Sequence, residues 1–378
     1  MADEKVIKTT NGYFDIVGTI EIDDKVFAID SPGKKNMNWR MNVFNPKVLG
    51  VDGQSMYIRI NDGYDTVKGK TIFAKSINDT DLTIKFVDRM NPNIISQVND
   101  KSFFKVGVAR KTETNEVGKE YKVWEYKNFI TVYDLIKFLK DVMPIGSKHK
   151  VRLIGRIKHS VYQEEVSRNY EIQKVFILTG NEDEGKELTP GFNFTQNVII
   201  TDGAIDISNF DEDGVANINA KVITKASGKY SLLPITLKIR AAEEKRSTYK
   251  KTMERYFSVH GDTVRRINID GYFNSGFIAG NVTEEDLPEE ARELIEDGFY
   301  SLEDVLKMYA TRDRVDEAVI KRPLLKKDKD SGRLSVDMSD LEYTMEDIEA
   351  IETAAIVSET KVETSVEDED FLKELDGM

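Results

Sequence analysis

The chain contains no cysteine. Disulfides, thiolate metal sites and cysteine nucleophiles are excluded, and a reducing compartment fits. Histidine is scarce: His149, His159 and His260 are the three present. The first two lie outside the close helical spacings of zinc motifs. No run of 18 apolar residues offers a membrane-spanning helix. The first ten residues, MADEKVIKTT, lack the apolar stretch of a secretory leader. The expectation is a soluble protein of the cytoplasm.

Signatures of catalysis are missing as well. Gly63-Tyr64-Asp65-Thr66-Val67-Lys68-Gly69-Lys70-Thr71 ends like a phosphate loop. It has one residue too many between its glycines and leads into a strand-like segment, so it reads as a turn. Asn209-Phe210-Asp211-Glu212-Asp213-Gly214 begins like a calcium loop, but Ala220 stands where a bidentate Glu is needed. There is no nucleophile elbow and no dinucleotide fingerprint. No enzyme, cofactor or metal is expected.

What the chain has is charge, unevenly placed. The net charge is −13 over 378 residues. Residues 337–378 hold 15 Asp/Glu and 2 Lys, which accounts for all of it. Residues 281–336 hold 10 basic and 15 acidic side chains, and 1–280 hold 42 basic and 37 acidic. A mildly basic body with an acidic end is one pattern of polyanion binders. It is equally the pattern of a solvated tail that aids solubility.

Most of the body alternates as strands do. Met56, Ile58 and Ile60 fall on one face, Tyr57 and Arg59 on the other. Asn38–Phe44 and Leu82–Phe86 repeat the pattern, with turn residues such as Ser31-Pro32-Gly33 and Asn61-Asp62-Gly63 between. Ile130, Tyr133, Ile136 and Leu139 have helical spacing, Thr131 or Asn128 can cap that helix, and Pro144 ends it. Val151–Ile157 resembles Asp15–Ile20, with a glycine inside each strand, which suggests a diverged duplication. Thr283-Glu284-Glu285-Asp286 opens a helical stretch. Residues 339–356 have the makings of a transient helix around Leu341, Met345, Ile348 and Ile351.

The expected fold is mainly β with some α. Two small antiparallel OB-like barrels span 1–128 and 147–280, joined by a connecting helix at 129–146. A helical segment at 281–336 and a disordered acidic tail at 337–378 follow.

The positive signal for function is cations and aromatic residues interleaved on strands. The candidates for nucleic-acid contact are Trp39, Arg40, Tyr57, Arg59 and Lys75 in the first β segment. In the second they are Arg152, Arg156 and Lys158 on one strand, Arg168, Tyr170 and Lys174 sharing a face of the next, and Lys238 with Arg240. Cations neutralise phosphates and π faces stack bases of any sequence. Solvated faces of antiparallel sheets carry the same residue types for no such reason.

The tail sequence Glu367-Asp368-Glu369-Asp370-Phe371-Leu372, together with the Val/Ile-rich strands around Gly18 and Gly155, resembles single-stranded DNA-binding proteins of the bacterial and bacteriophage type. The resemblance implies an OB-fold body with a basic, aromatic groove. It also implies an acidic tail that docks replication and recombination proteins, here through Asp368, Asp370, Phe371 and Leu372, and that competes with DNA for the groove. The expectation is sequence-tolerant binding of single-stranded DNA in the cytoplasm of a bacterial or phage-infected cell, with homo-oligomers possible. The rival readings are a virion or scaffold component and a metal-dependent nuclease built from scattered carboxylates.

Overall fold

The computed structural model describes residues 7–33, 36–51, 53–162, 165–178, 188–226, 228–279, 287–296, 301–302, 305, 312–328 and 332–359. Its main sheet is built from long strands, several of which bury every second side chain. Strand β1 (Gly12–Glu21) turns Phe14, Ile16 and Ile20 inward. The first half adds β2 (Phe104–Thr114), β3 (Glu120–Phe129), β4 (Lys148–Tyr162) and β5 (Glu165–Leu178). The second half consists of β6 (Gly191–Ile200), β7 (Val215–Ala226), β8 (Lys229–Arg240), β9 (Arg265–Ala279) and β10 (Arg312–Pro323).

The second half closes on itself in the order β6-β7-β8-β10-β9-β6, with β8 parallel to β10 and the other pairs antiparallel. This is a five-stranded barrel of OB-like architecture. The first half runs β3-β2-β5-β4-β1, and it too has one parallel pair, β2 with β5. Helix α1 (Val132–Val142) enters the chain before β4, and helix α2 (Arg246–Tyr256) before β9. Thr131 caps α1 by accepting from the Asp134 N–H, and Tyr133, Leu135, Ile136 and Leu139 are buried. In α2, Met253 is buried, followed by Phe257 just beyond its end.

Each half carries a bulge beside a glycine. The β4–β5 register slips between Ile154 and Gly155, and the β9–β10 register between Asp270 and Gly271. Phe14 lies opposite Gly155, and Phe194 opposite Gly271. A Cβ on Gly155 would stand 2.0 Å from the Glu171 carbonyl oxygen and 2.7 Å from the Phe14 ring. On Gly271 it would stand 2.4 Å from the Val319 oxygen and 2.5 Å from the Phe194 ring. Each phenylalanine needs the glycine beneath it. The halves join along β1 and β6, where Phe14 meets Phe194.

Several expectations change. Strand β1 pairs with β4 and β6, so one continuous sheet crosses the expected 1–128 and 147–280 boundaries. The closed barrel spans 191–323, and β10 lies inside the segment read as helical. Helix α1 is packed within the first half and does not serve as a connector, because its apolar stripe contributes to the same core as Phe44 and Ile60. Asp15–Ile20 and Val151–Ile157, whose likeness suggested a duplication, pair with each other as neighbouring strands. The likeness reflects two neighbouring strands that both border the same core.

The acidic end is folded through Glu359. Helix α3 (Met345–Glu359) buries Ile348 and Ile351 with Tyr343 against Ile199, Ile223 and Val264. Leu341, grouped with that helix by periodicity, is 93% exposed. Its acids have partners: Arg265 meets Asp340 at 2.7 Å, and Arg266 meets Asp337 at 2.9 Å and Glu342 at 2.7 Å. Acid-rich composition resembled a solvated tail because these cations are distant in sequence. Residues 360–378, and Thr283–Asp286, lie outside the described residues.

Candidate nucleic-acid interface

Where the two halves meet, the inward faces of β4, β5, β6, β8, β9 and β10 leave a cleft of about 520 Å³. Its floor is aromatic. Phe194 and Phe273 stack at 4.7 Å, and the Tyr170 ring meets Phe273 and Phe14 edge-on, each at 5.5 Å. Tyr57 and Arg59, from the strand Ser55–Tyr57 and the residues after it, reach the cleft from above; Tyr57 is 57% exposed.

The electrostatics of the cleft turn on Arg168. It pairs with Asp316 at 2.6 Å, joining β5 to β10, and its guanidinium lies 5.0 Å from the Phe273 centroid. Burial raises the Tyr170 hydroxyl to about 12 against the opposing pull of Arg168, so the phenol stays protonated. Burial and the Arg168 charge push His159 down to about 4, leaving it neutral near pH 7. The cleft therefore offers π faces, two cations against one carboxylate, and neutral polar groups. Among the described residues no three His, Asp or Glu side chains are grouped to hold a metal.

Four of the candidates read from the sequence meet here: Tyr57, Arg59, Arg168 and Tyr170. The others lie elsewhere. Trp39 is half-buried against Gly33 and Gly63, and Arg40 donates to the Met37 carbonyl at 2.6 Å. Lys75 pairs with Asp81 at 2.7 Å on the short hairpin Thr71–Lys85. Lys238 and Arg240 both hold Glu317 at 2.7 Å. Burial works to raise the Glu317 carboxyl, but hydrogen bonds from Lys238, Arg240 and Asn274 bring it below its ordinary value.

Arg152, Arg156, Lys158 and Lys174 occupy the outer face of the first half. Arg152 forks onto Asp15 at 2.8 and 2.6 Å, and Lys158 meets Glu171 at 3.0 Å. Lys174 does not share a face with Arg168 and Tyr170. Gly155 pairs with Ile172 and Ile154 with Lys174, so Gln173 is an extra residue that reverses the alternation. Asp368, Asp370, Phe371 and Leu372 lie outside the described residues.

Sequence reasoning missed His159, Phe194, Gln196, Phe273 and Asp316 in the cleft. Phe273 was legible: Ile267, Ile269, Gly271, Phe273 and Ser275 recur at every second position. Asp316 was hidden by the helical reading of its segment.

No family model matches the chain, and no curated protein matches its sequence. Solved structures similar to it include the single-stranded DNA binding protein from Thermus aquaticus. The wild-type form shares 10% identity at a TM-score of 0.30, over 70% of this chain and 85% of that one. A deletion mutant gives 10% identity and a TM-score of 0.31, over 70% and 86%. Likeness at this level assigns no function.

Proposed function

We propose that this protein binds single-stranded DNA without strong sequence preference and performs no catalysis. The observation that carries the reading is the seam cleft, where Tyr57 and Tyr170 come together with Arg59 and Arg168. Aromatic faces accept bases of any sequence, and the two arginines give phosphates a place beside them. A closed five-stranded barrel is a scaffold suited to that task. The setting is DNA replication or recombination of the bacterial or phage type. The acidic residues 360–378 then act in trans to dock partner proteins through Phe371 and Leu372, and in cis as a polyanion that competes for the cations.

Fluorescence anisotropy with labelled oligo-dT tests the reading. Binding should weaken steeply with salt, by about 0.7 log units per log salt for each phosphate neutralised. Absence of binding at low salt, by both the full chain and one lacking 360–378, overturns it. Large assemblies that ignore the oligonucleotide would favour a structural role instead.

A further inference from the structure

On the outer face of the first half, rings and cations come together a second time. Lys122, Trp124 and Tyr126 alternate on β3, with Trp124 opposite Arg110 and Tyr126 opposite Gly107 on β2. On β5, Lys174 lies opposite Lys105 and Phe176 opposite Gly107. The rings converge over that glycine. A Cβ on Gly107 would stand 2.8 Å from Phe176 and 2.9 Å from Trp124. The Trp124 and Phe176 centroids are 5.0 Å apart, and those of Tyr126 and Phe176 6.0 Å. Arg110 lies 4.8 Å from the Trp124 centroid, Lys105 5.6 Å from Tyr126 and Arg152 5.9 Å from Phe176.

Packing accounts for only part of this arrangement. Trp124 packs against the buried cluster of Phe176, Val17 and Leu178 yet stays half-buried, and Tyr126 is 37% exposed. Arg152 and Lys105 have Asp15 and Asp100 as partners, whereas Lys174 has no ion pair among the described residues. Lys174 thus stands beside the rings as a cation that an anionic chain laid across this face would meet.

We infer that this face is a second stacking surface for single-stranded nucleic acid, with bases on Trp124 and Tyr126 and phosphates beside Arg110 and Lys174. The inference rests on the single-strand reading above. The bulge at Gln173 separates the two surfaces: Arg168 and Tyr170 face the cleft, Lys174 and Phe176 the outer side. A strand that uses both must pass around the sheet. Short oligonucleotides therefore occupy one surface, and longer ones span both.

Trp39→Phe leaves Trp124 as the sole tryptophan, since the chain has 2. Oligo-dT of roughly 30 nucleotides should quench its emission, given site sizes of about 4–16 nucleotides per barrel. Trp124→Ala should weaken binding of that oligonucleotide about tenfold, as expected for one stacked base. Trp124→Phe should restore most of the affinity, which separates stacking from a folding defect. Should the oligonucleotide bind while Trp124 emission and the Trp124→Ala affinity stay unchanged, the second surface is wrong and single-strand binding stands. Should nothing bind to the parent protein, both fall together.

Discussion

In the cleft, Arg168 directs its charge onto Asp316 at 2.6 Å, whereas Lys174, on the same strand β5, has no ion pair among the described residues. The cleft holds its rings in an enclosed stack, Phe194 on Phe273 and Tyr170 against both Phe14 and Phe273. The outer face leaves Tyr126 partly open to solvent, with cations around it. The same residue types thus serve two ends. Inside, they fix the seam between halves, with Tyr57 and Arg59 at its edge. Outside, they gather positive charge beside π surface. Stability should depend chiefly on the first region, and salt-sensitive affinity on both.

The largest effect should come from a change at the bulge that sets the facing of β5. Gly155→Ala places a methyl group against the Glu171 carbonyl and the Phe14 ring. A loss of about 3 kcal/mol is expected in urea unfolding, at the upper end of ordinary overpacking. A loss under about 0.5 kcal/mol would show that the bulge is not tightly fitted.

Next comes the cleft alone. Tyr57→Ala with Arg59→Ala should weaken oligo-dT binding about tenfold, as for one stacked base and one phosphate contact. Quenching of Trp124 by long oligo-dT should survive. If it vanishes, the two surfaces do not act separately.

Acid should then act on the cleft through His159. Its folded value, about 4, lies below the ordinary 6.5, so the unfolded chain binds the proton more readily. Stability is therefore full above about pH 6.5 and is lost as pH falls toward 4. His159→Asn, which cannot take up that proton, should flatten the decline in Tm between pH 6.5 and 5. The difference should be on the order of 1 kcal/mol after solvent screening. Identical slopes for both proteins would remove His159 from the account.

The smallest effect is expected from the chain end. Removing 360–378 takes away 7 acidic and 2 basic residues while leaving α3 on the barrel. Binding of oligo-dT should tighten about two- to threefold at low salt and be unchanged at high salt, because exposed charges are screened there. Equal affinity at low salt would argue against competition by this segment.

How much of this was legible in the sequence follows from the range of each signal. Alternation in Met56–Ile60 and the helix capped by Thr131 are local, and both appear as read. The face shared by Arg152, Arg156 and Lys158 was also correct, since β4 itself carries no extra residue. Lys174 was misplaced because a bulge is defined by the partner strand, and one inserted residue reverses every side chain beyond it. The halves could not be delimited because β1 belongs to both, pairing with strands more than a hundred residues away. The chain between β1 and β2 adds hairpins such as Thr71–Lys85, which separate the strands of the first half. Trp124 and Tyr126 went unread because their meaning depends on Gly107 and Phe176, contributed by two other strands.

The most direct test compares affinity for oligo-dT and for a duplex of equal length across a salt series. The expected result is tight binding of the single strand at low salt, a log–log slope reporting several neutralised phosphates, and much weaker binding of the duplex. Equal affinity for the two forms, or no binding to either, would contradict it.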